Sequence, residues 1–322
     1  MNRGPFALGI DIGTTRLRVA LMEPGSEGPR LTAVAVREIA SGCASSGDIV
    51  EPEYVGALLK EALSELCTRQ RRCVCAIGEP DAVLRSVTLP AMSDGERRRG
   101  ARFEAQRYVE YPLDEATVRV HPIDETRGLY ALGIARTSTV AGRLDALKLA
   151  GLRPVAMEHD ACVLQRLFAA DYDAAIDLGH HRTNVHVFGK GTPVTMSLFT
   201  GGADITRNIE RDLSIDASSA EKRKRILGTA GAGERARMQL ASDIAAFLAP
   251  GGADSTTTKR IALTGNGARL RGLVSDVETA TGAIVDVPVG AAVGGNYPED
   301  VLASSAPDWN LAVGLALRGS EA

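Results

Sequence analysis

The chain has 322 residues, enough to bury a full core and to hold two domains. Hydrophobic residues make up 44% and charged residues 24%, and 37 Lys and Arg against 40 Asp and Glu leave a net charge of −3, which gives no global attraction to nucleic acid. No apolar run approaches the roughly 18 residues that span a bilayer. The start, Met1-Asn2-Arg3-Gly4-Pro5, has no signal-peptide hydrophobic region, and five scattered cysteines (Cys43, Cys67, Cys73, Cys75, Cys162) read as reduced thiols in a cytoplasmic protein.

Ala7 to Ile12 is almost wholly apolar, as in a strand buried on both faces. Leu17, Val19 and Leu21 alternate with Arg16, Arg18 and Ala20, which predicts a half-exposed strand. Between them Gly13 permits a sharp hairpin, Thr14 and Thr15 offer hydroxyl and N–H donors at its tip, and Asp11 stands ready to hold magnesium or its waters. A plain Gly-Thr hairpin with a solvated aspartate fits the same residues equally well. A third strand at Leu31–Ile39, a loop at Ser41–Ile49, a helix at Glu53–Cys67 and a strand at Cys73–Gly78 complete an α/β layer.

A segment of different character spans 80–152. It reads as a strand (Val83–Leu89), a charged helix (Ser93–Val109) opened by a Ser93/Glu96 capping box, two strands (Val118–Ile123, Leu129–Ala135) and a helix from Thr137 to Ala150 closed by Gly151. Arg97, Arg98 and Arg99 read as a solvated helix face. From Tyr172 the opening pattern returns: an apolar strand, Asp177-Leu178-Gly179, a polar tip His180-His181-Arg182-Thr183, and an alternating strand to Phe188. This internal duplication is more informative than either copy. Helices at Asp204–Leu213, Ser218–Leu227 and Glu234–Leu248 follow, then a strand at Arg260–Leu263 running into Thr264-Gly265-Asn266-Gly267-Ala268. That turn is expected to lie flat against a base or ribose. A strand at Ile284–Val287, a loop from Gly290 to Ser305 and a helix at Asn310–Leu317 close the chain.

Three glycine-bearing stretches, at 11–15, 177–183 and 264–268, resemble the two phosphate loops and the adenosine loop of the actin, heat-shock chaperone and sugar kinase superfamily. The finer resemblance, over nearly the whole chain, is to the PilM family of type IV pilus assembly. It is carried by Leu89-Pro90, Phe103–Val109, Ala150–Val155, Gly201–Thr206, Gly267–Leu273 and Gly314–Arg318. The division protein FtsA is a less good match, because its amphipathic tail has no counterpart in Arg318–Ala322.

The resemblance implies an α/β actin-like ATPase fold of duplicated ribonuclease H-like domains with a small α+β insertion. The first domain is 1–170, with the insertion at 80–152. The second, with its nucleotide lid, is 171–305, and 306–322 is a helix returning to the first. It implies ATP and magnesium as cofactors, with contacts from Asp11, Gly13, Thr14, Thr15, Asp177, Gly179, Thr183, Gly202, Gly265, Asn266, Gly267 and Ala268, and metal binding at Asp11 and Asp177. Glu221 and Lys224, three apart on a helix, match a ribose-binding Glu and an adenine-flanking Lys; a merely charged helix explains Lys224 as well. Glu158 and Asp160 lie where relatives keep a water-orienting group, and Asp160 is the catalytic candidate.

His180, His181 and Arg182 are bulkier and more cationic than the family's usual small residues, and Asn266 replaces a common glycine while tolerating a left-handed turn. The implied partner is the N-terminal cytoplasmic tail of a PilN-like inner-membrane protein, with the assembly motor ATPase a further candidate and self-association left open. No nucleic-acid partner and no direct membrane insertion are expected. The tail groove is expected between the insertion and its parent domain, walled by Phe103–Tyr111 with Arg102 and Arg107 at the rim, and with Phe103 packing the insertion's own core. A small-molecule kinase, a filament-forming cytoskeletal ATPase and a nucleotide-free relative are the alternatives to an ATP-loaded adaptor.

Overall fold

The computed structural model describes residues 7–25, 28–45, 48–249, 258–288 and 306–321. The Gly290–Ser305 loop and the first six residues lie outside them. In chain order the elements are β1 (Leu8–Ile12), β2 (Arg16–Gly25), β3 (Gly28–Glu38), a short hairpin of β4 (Ala44–Ser45) and β5 (Asp48–Ile49), α1 (Pro52–Glu65), β6 (Arg72–Ile77), β7 (Ala82–Thr88), α2 (Asp94–Ala105), β8 (Ala116–Asp124), β9 (Leu129–Arg136), α3 (Thr137–Leu149), β10 (Arg153–His159) and α4 (Asp160–Phe168). The second half holds β11 (Ala174–Leu178), β12 (Thr183–Val187), β13 (Val194–Leu198), α5 (Gly202–Leu213), α6 (Ala217–Leu227), α7 (Glu234–Leu248), β14 (Arg260–Thr264), α8 (Leu273–Thr281), β15 (Ile284–Asp286) and α9 (Asn310–Glu321).

Two five-stranded sheets share one topology. The first runs β3-β2-β1-β6-β10 and the second β13-β12-β11-β14-β15, each an antiparallel meander continued by parallel strands. The registers match residue for residue: Leu8 pairs with Leu21 and Ile12 with Leu17, while Ala174 pairs with Val187 and Leu178 with Thr183. The α/β architecture read from the sequence is therefore present, duplication included.

Strand alternation gives each sheet two unlike faces. Leu8, Ile10, Leu17 and Val19 face α1 and α3 in one core, and Ile176, Leu178 and Val185 face α5, α7 and α8 in another. The opposite faces look toward each other across α4 and α9, where Ala7, Val74, Ala175 and Ala262 pack on Val163, Leu164, Phe168 and Leu315. This corrects the reading of β2 as half-exposed. Ala20 and Met22 lie under Trp309, Val313 and Ala316, so the outer face of the strand is covered by α9.

The small sheet, ordered β7-β9-β8, has its own core of Val87, Leu89, Ala101, Ala105, Tyr130 and Leu132 beneath α2. Helix α3 touches this sheet at its start, where Val140 packs with Ala82 and Ala135. Further along, its Ala146 and Leu147 join Val55 and Leu59 of α1 in the first core, so α3 packs on both units. Ser86 of β7 meets Thr192, oxygen to oxygen at 2.8 Å, and Thr195 donates to Glu79 at 2.7 Å, tying the insertion side to the second sheet.

Glycine decides how closely α9 approaches. A Cβ on Gly9 would lie 1.8 Å from the Ala312 carbonyl oxygen and 2.5 Å from the Ala316 nitrogen, backbone atoms that cannot rotate away. Gly9→Ala is expected to destabilise the protein by about 3 kcal/mol or more through overpacking. Gly133→Ala, where an added Cβ meets nothing within 4 Å, should change stability little. Urea unfolding of the two variants checks this, and equal midpoints would refute the packing account.

Candidate functional site

The β1–β2 and β11–β12 hairpins converge on one cleft. In each, the glycine N–H closes the turn onto a carbonyl three positions along: Gly13 to Arg16 and Gly179 to Arg182, both at 2.9 Å. The matched register makes Thr14 and Thr15 the counterparts of His180 and His181, Arg16 the counterpart of Arg182, and Arg18 that of Asn184. Leu17 then corresponds to Thr183. Thr183 accordingly points into the core, fully buried, with its hydroxyl donated to the Thr200 carbonyl at 2.7 Å, and does not reach the cleft as expected.

The cleft brings together Asp11, Gly13, Thr14, Thr15, Asp160, Asp177, Gly179, Gly265 and Asn266. Its extension is lined by Gly202, Glu221, Lys224 and Gly267, again with Gly179 and Asn266. Ala268 is buried beneath it. The two glycines of the third loop also let it close against the second hairpin. A Cβ on Gly265 would fall 2.2 Å from Asp177 Oδ1, and one on Gly267 would fall 2.3 Å from Leu178 Cδ2, so their bare faces seat the second hairpin. Gly265 also has φ +82°, which favours glycine independently.

Acidic groups gather at the floor. Desolvation pushes the Asp11 carboxyl up, opposed by Arg18, whose Nη1 is 3.4 Å away, and reinforced by Asp160. Asp177 is pushed up to about 7 by burial and by the charges of Asp160 and Asp11. Burial also pushes on Asp160, but there His159, at 3.0 Å from Oδ1, and the Ala161 N–H at 2.8 Å prevail and hold the carboxyl below its usual range. His159 is correspondingly raised against its own desolvation, and its Nε2 lies 3.2 Å from the Ala82 carbonyl. Asn184 donates to Asp160 Oδ2 at 3.4 Å.

Several groups in the cleft escaped the sequence reading. Arg18 was assigned to an exposed face, yet it is 9% exposed because α9 and its preceding turn cover it. Its position opposite Asp11 in the hairpin register was the available signal. Asp308 lies 2.9 Å from Arg269 and 4.0 Å from Arg18, bridging the two lobes, and Pro307-Asp308 before an apolar helix marked it. Arg143 and Asp81 enter from α3 and the turn before β7, and no local pattern pointed to them.

Glu221 and Lys224 do share a helix face, but in an ion pair. Lys224 Nζ donates at 2.7 Å to the Gly202 carbonyl, Thr206 Oγ1 and Glu221 Oε2, which uses all three ammonium protons and locks α6 to α5. Against the upward push of burial, hydrogen bonds from Lys224 and Thr206 hold Glu221 at about 2. Burial followed by the neighbouring His181 and Lys224 lowers His180, so the second tip is less cationic than its composition suggests. Fixed N–H donors at two facing tips, arginines on the walls and carboxylates on the floor suit a polyanion that carries a cation.

The family of type IV pilus assembly protein PilM matches residues 9–320. The chain belongs to the PilM family. It is similar to a chain of the PilM–PilN type IV pilus biogenesis complex, with 27% identity over 98% of this chain and 99% of that one and a TM-score of 0.86. It is also similar to the ethanolamine utilization protein EutJ from Carboxydothermus hydrogenoformans, with 15% identity, 97% and 89% coverage and a TM-score of 0.60. A third likeness is the activator of the 2-hydroxyisocaproyl-CoA dehydratase from Clostridium difficile with bound ADPNP, at 11% identity, 98% and 94% coverage and a TM-score of 0.50. The last two bear on the fold alone, and that fold is the actin-like ATPase fold. No helix among the described residues is long and apolar enough to cross a membrane.

The raised Asp177 has a thermodynamic consequence. Between about pH 4, where an unfolded aspartate titrates, and about pH 7, the native state holds a proton that the unfolded state has lost. In metal-free protein this group therefore costs stability as pH rises, by ~1.4 kcal/mol per pH unit across that window. Asp177→Asn removes the dependence, so the variant should match wild type near pH 4 and exceed it increasingly toward neutrality. Urea melts of both proteins at intervals through that range test this, and a constant difference would contradict it.

Proposed function

We propose that the protein is an ATP-binding, actin-like adaptor of type IV pilus assembly that sits in the cytoplasm and docks the N-terminal cytoplasmic tail of a PilN-like inner-membrane protein. ATP turnover is slow or absent. The observation that carries the reading is the pair of register-matched Asp-x-Gly hairpins facing one cleft in a member of the PilM family. The family membership and the likeness to the PilM–PilN complex support the partner. A polyphosphate lies between the tips, held by N–H groups of 14–15 and 180–181, with the nucleoside toward Gly202, Glu221 and Gly267.

Magnesium fits this site as a hydrated ion. Among the described residues no three His, Cys, Asp or Glu side chains are arranged to ligate a metal directly. Asp11 and Asp177 nevertheless carry a charge strain that a cation between them would relieve, and magnesium keeps most of its waters. Asp160 orients water poorly as a base, because a carboxyl held below its usual range accepts a proton weakly. Calorimetry with ATP and magnesium should give saturable heat, and Asp11→Asn or Asp177→Asn should lower the affinity by about tenfold or more. Absence of heat at millimolar ATP would reject nucleotide binding.

For docking, the expected role of Phe103 in the insertion's core is corrected. It is 74% exposed on α2, the one large apolar side chain of 82–136 so exposed among the described residues. Arg102 is occupied by the Leu113 and Ala116 carbonyls and Arg107 by Glu104, so Phe103 rather than an arginine rim offers the contact. Phe103→Ala should weaken binding of a synthetic partner tail by about tenfold with no change in urea midpoint. Unchanged affinity would move the docking site elsewhere.

A further inference from the structure

The cleft does not end at the hairpin tips. It continues past them into a recess lined by Ala44, Ile49, Gly78, Asp81, Arg143 and Arg182. Arg143 enters from α3 in the first lobe, only 4% exposed, with Nη2 3.9 Å from Asp81 Oδ2. Arg182 enters from the second lobe. Its guanidinium lies with Cζ 5.0 Å from the centre of the Phe199 ring, and its Nη1 is buried with no hydrogen-bond partner. Both guanidinium charges act on Asp81, and both arginines line the same cleft, one from each lobe.

A buried guanidinium with an unused donor is expensive unless an acceptor arrives. Asp81 alone cannot match two planar forks, whereas a tetrahedral oxyanion accepts from both. None of the recess residues lines the extension formed by Gly202, Glu221 and Gly267, which meets the cleft at Arg16, Gly179, His180 and Asn266. A nucleotide whose base occupies that extension directs the free end of its phosphate chain into the recess.

We propose that Arg143 and Arg182 form a two-lobe clamp for the terminal phosphate of a nucleoside triphosphate, which lets the protein distinguish the triphosphate from the diphosphate. This rests on the nucleotide reading of the cleft. The diphosphate ends at the hairpin tips and leaves the clamp to Asp81. The triphosphate closes it.

The test is calorimetry of the full-length protein with ADP and with a non-hydrolysable ATP analogue, both in excess magnesium. Wild type should bind the triphosphate more tightly. Arg182→Gln should weaken triphosphate binding by about ten- to a hundredfold while changing ADP affinity by less than about twofold, and Arg182→Lys should restore only part of the loss. Arg143→Gln should do the same. If that variant unfolds because Asp81 is left buried, the Asp81→Asn/Arg143→Gln double variant replaces it. A wild type that binds neither nucleotide rejects the nucleotide reading and the clamp together. Wild-type binding of both, with the same triphosphate-to-diphosphate ratio in Arg182→Gln and the Arg143 variant, rejects the clamp alone.

Discussion

Like-charged carboxylates brought close together where water is scarce set the main constraint on this molecule. Asp160 raises the proton affinity of Asp11, both raise that of Asp177, and none of the three can be moved without undoing a hairpin or the start of α4. The surroundings answer each differently. Arg18 pairs with Asp11, His159 and a helix N–H hold Asp160 ionised, and Asp177 is left with its proton near neutrality. Glycine makes the seats possible: a Cβ on Gly78 would lie 1.9 Å from Asp160 Oδ2, and one on Gly265 would lie 2.2 Å from Asp177 Oδ1. The two inner sheet faces, with α4 and α9 between them, are the scaffold that imposes this proximity.

The duplicated backbone is symmetric, but its side chains are not. The first tip carries two threonines and the second two histidines, whose rings meet edge-on at 4.4 Å. Arg18 and Asn184 occupy equivalent positions, yet the arginine is drawn to Asp11 and Asp308 while the asparagine turns to Asp160. The difference follows from what covers each half. The turn before α9 lies over the first hairpin and brings Asp308, whereas α4 delivers Asp160 toward the second. One backbone motif thus presents a cationic wall on one side and a neutral amide on the other, so a ligand meets a polar, directional cleft.

Local patterns revealed what local physics decides. Both hairpins, the Ser93/Glu96 capping box, α1, α5, α6, α7 and α9 were legible from period and turn chemistry, whereas α8 was not. The failures share one cause, tertiary cover that a period cannot see. Ala20 and Met22 looked outward until α9 covered them, and Arg97 was read as solvated although it bonds Tyr130 Oη at 3.1 Å. Thr183 was assigned by chemistry to the tip, but strand alternation places it inward with Leu17. Helix α3, grouped with the insertion in sequence, also packs Ala146 and Leu147 into the first lobe, a contact no period reveals. Strands β10 and β13 were missed because Pro154 and the short Val194–Leu198 run gave weak alternation.

The same burial that builds the cleft argues against fast chemistry in it. A general base works best when its proton affinity is poised near the working pH. Asp160 is the opposite case: the His159 ring, a helix N–H and the Asn184 amide stabilise its charge, and each contact would be weakened by protonation of the carboxylate. His186, fully buried near it with neither ring nitrogen bonded, is lowered to about 4 by desolvation and stays neutral without a proton path drawn from its partners. Asp177 has the proton affinity of a base, but its raised value exists only while no cation is near, and a bound divalent ion would remove it. The group that could take a proton loses that capacity once the cation a triphosphate brings is in place, and the group that stays charged is a poor acceptor. On the nucleotide reading proposed above, a cleft so arranged favours retention of the ligand over its cleavage.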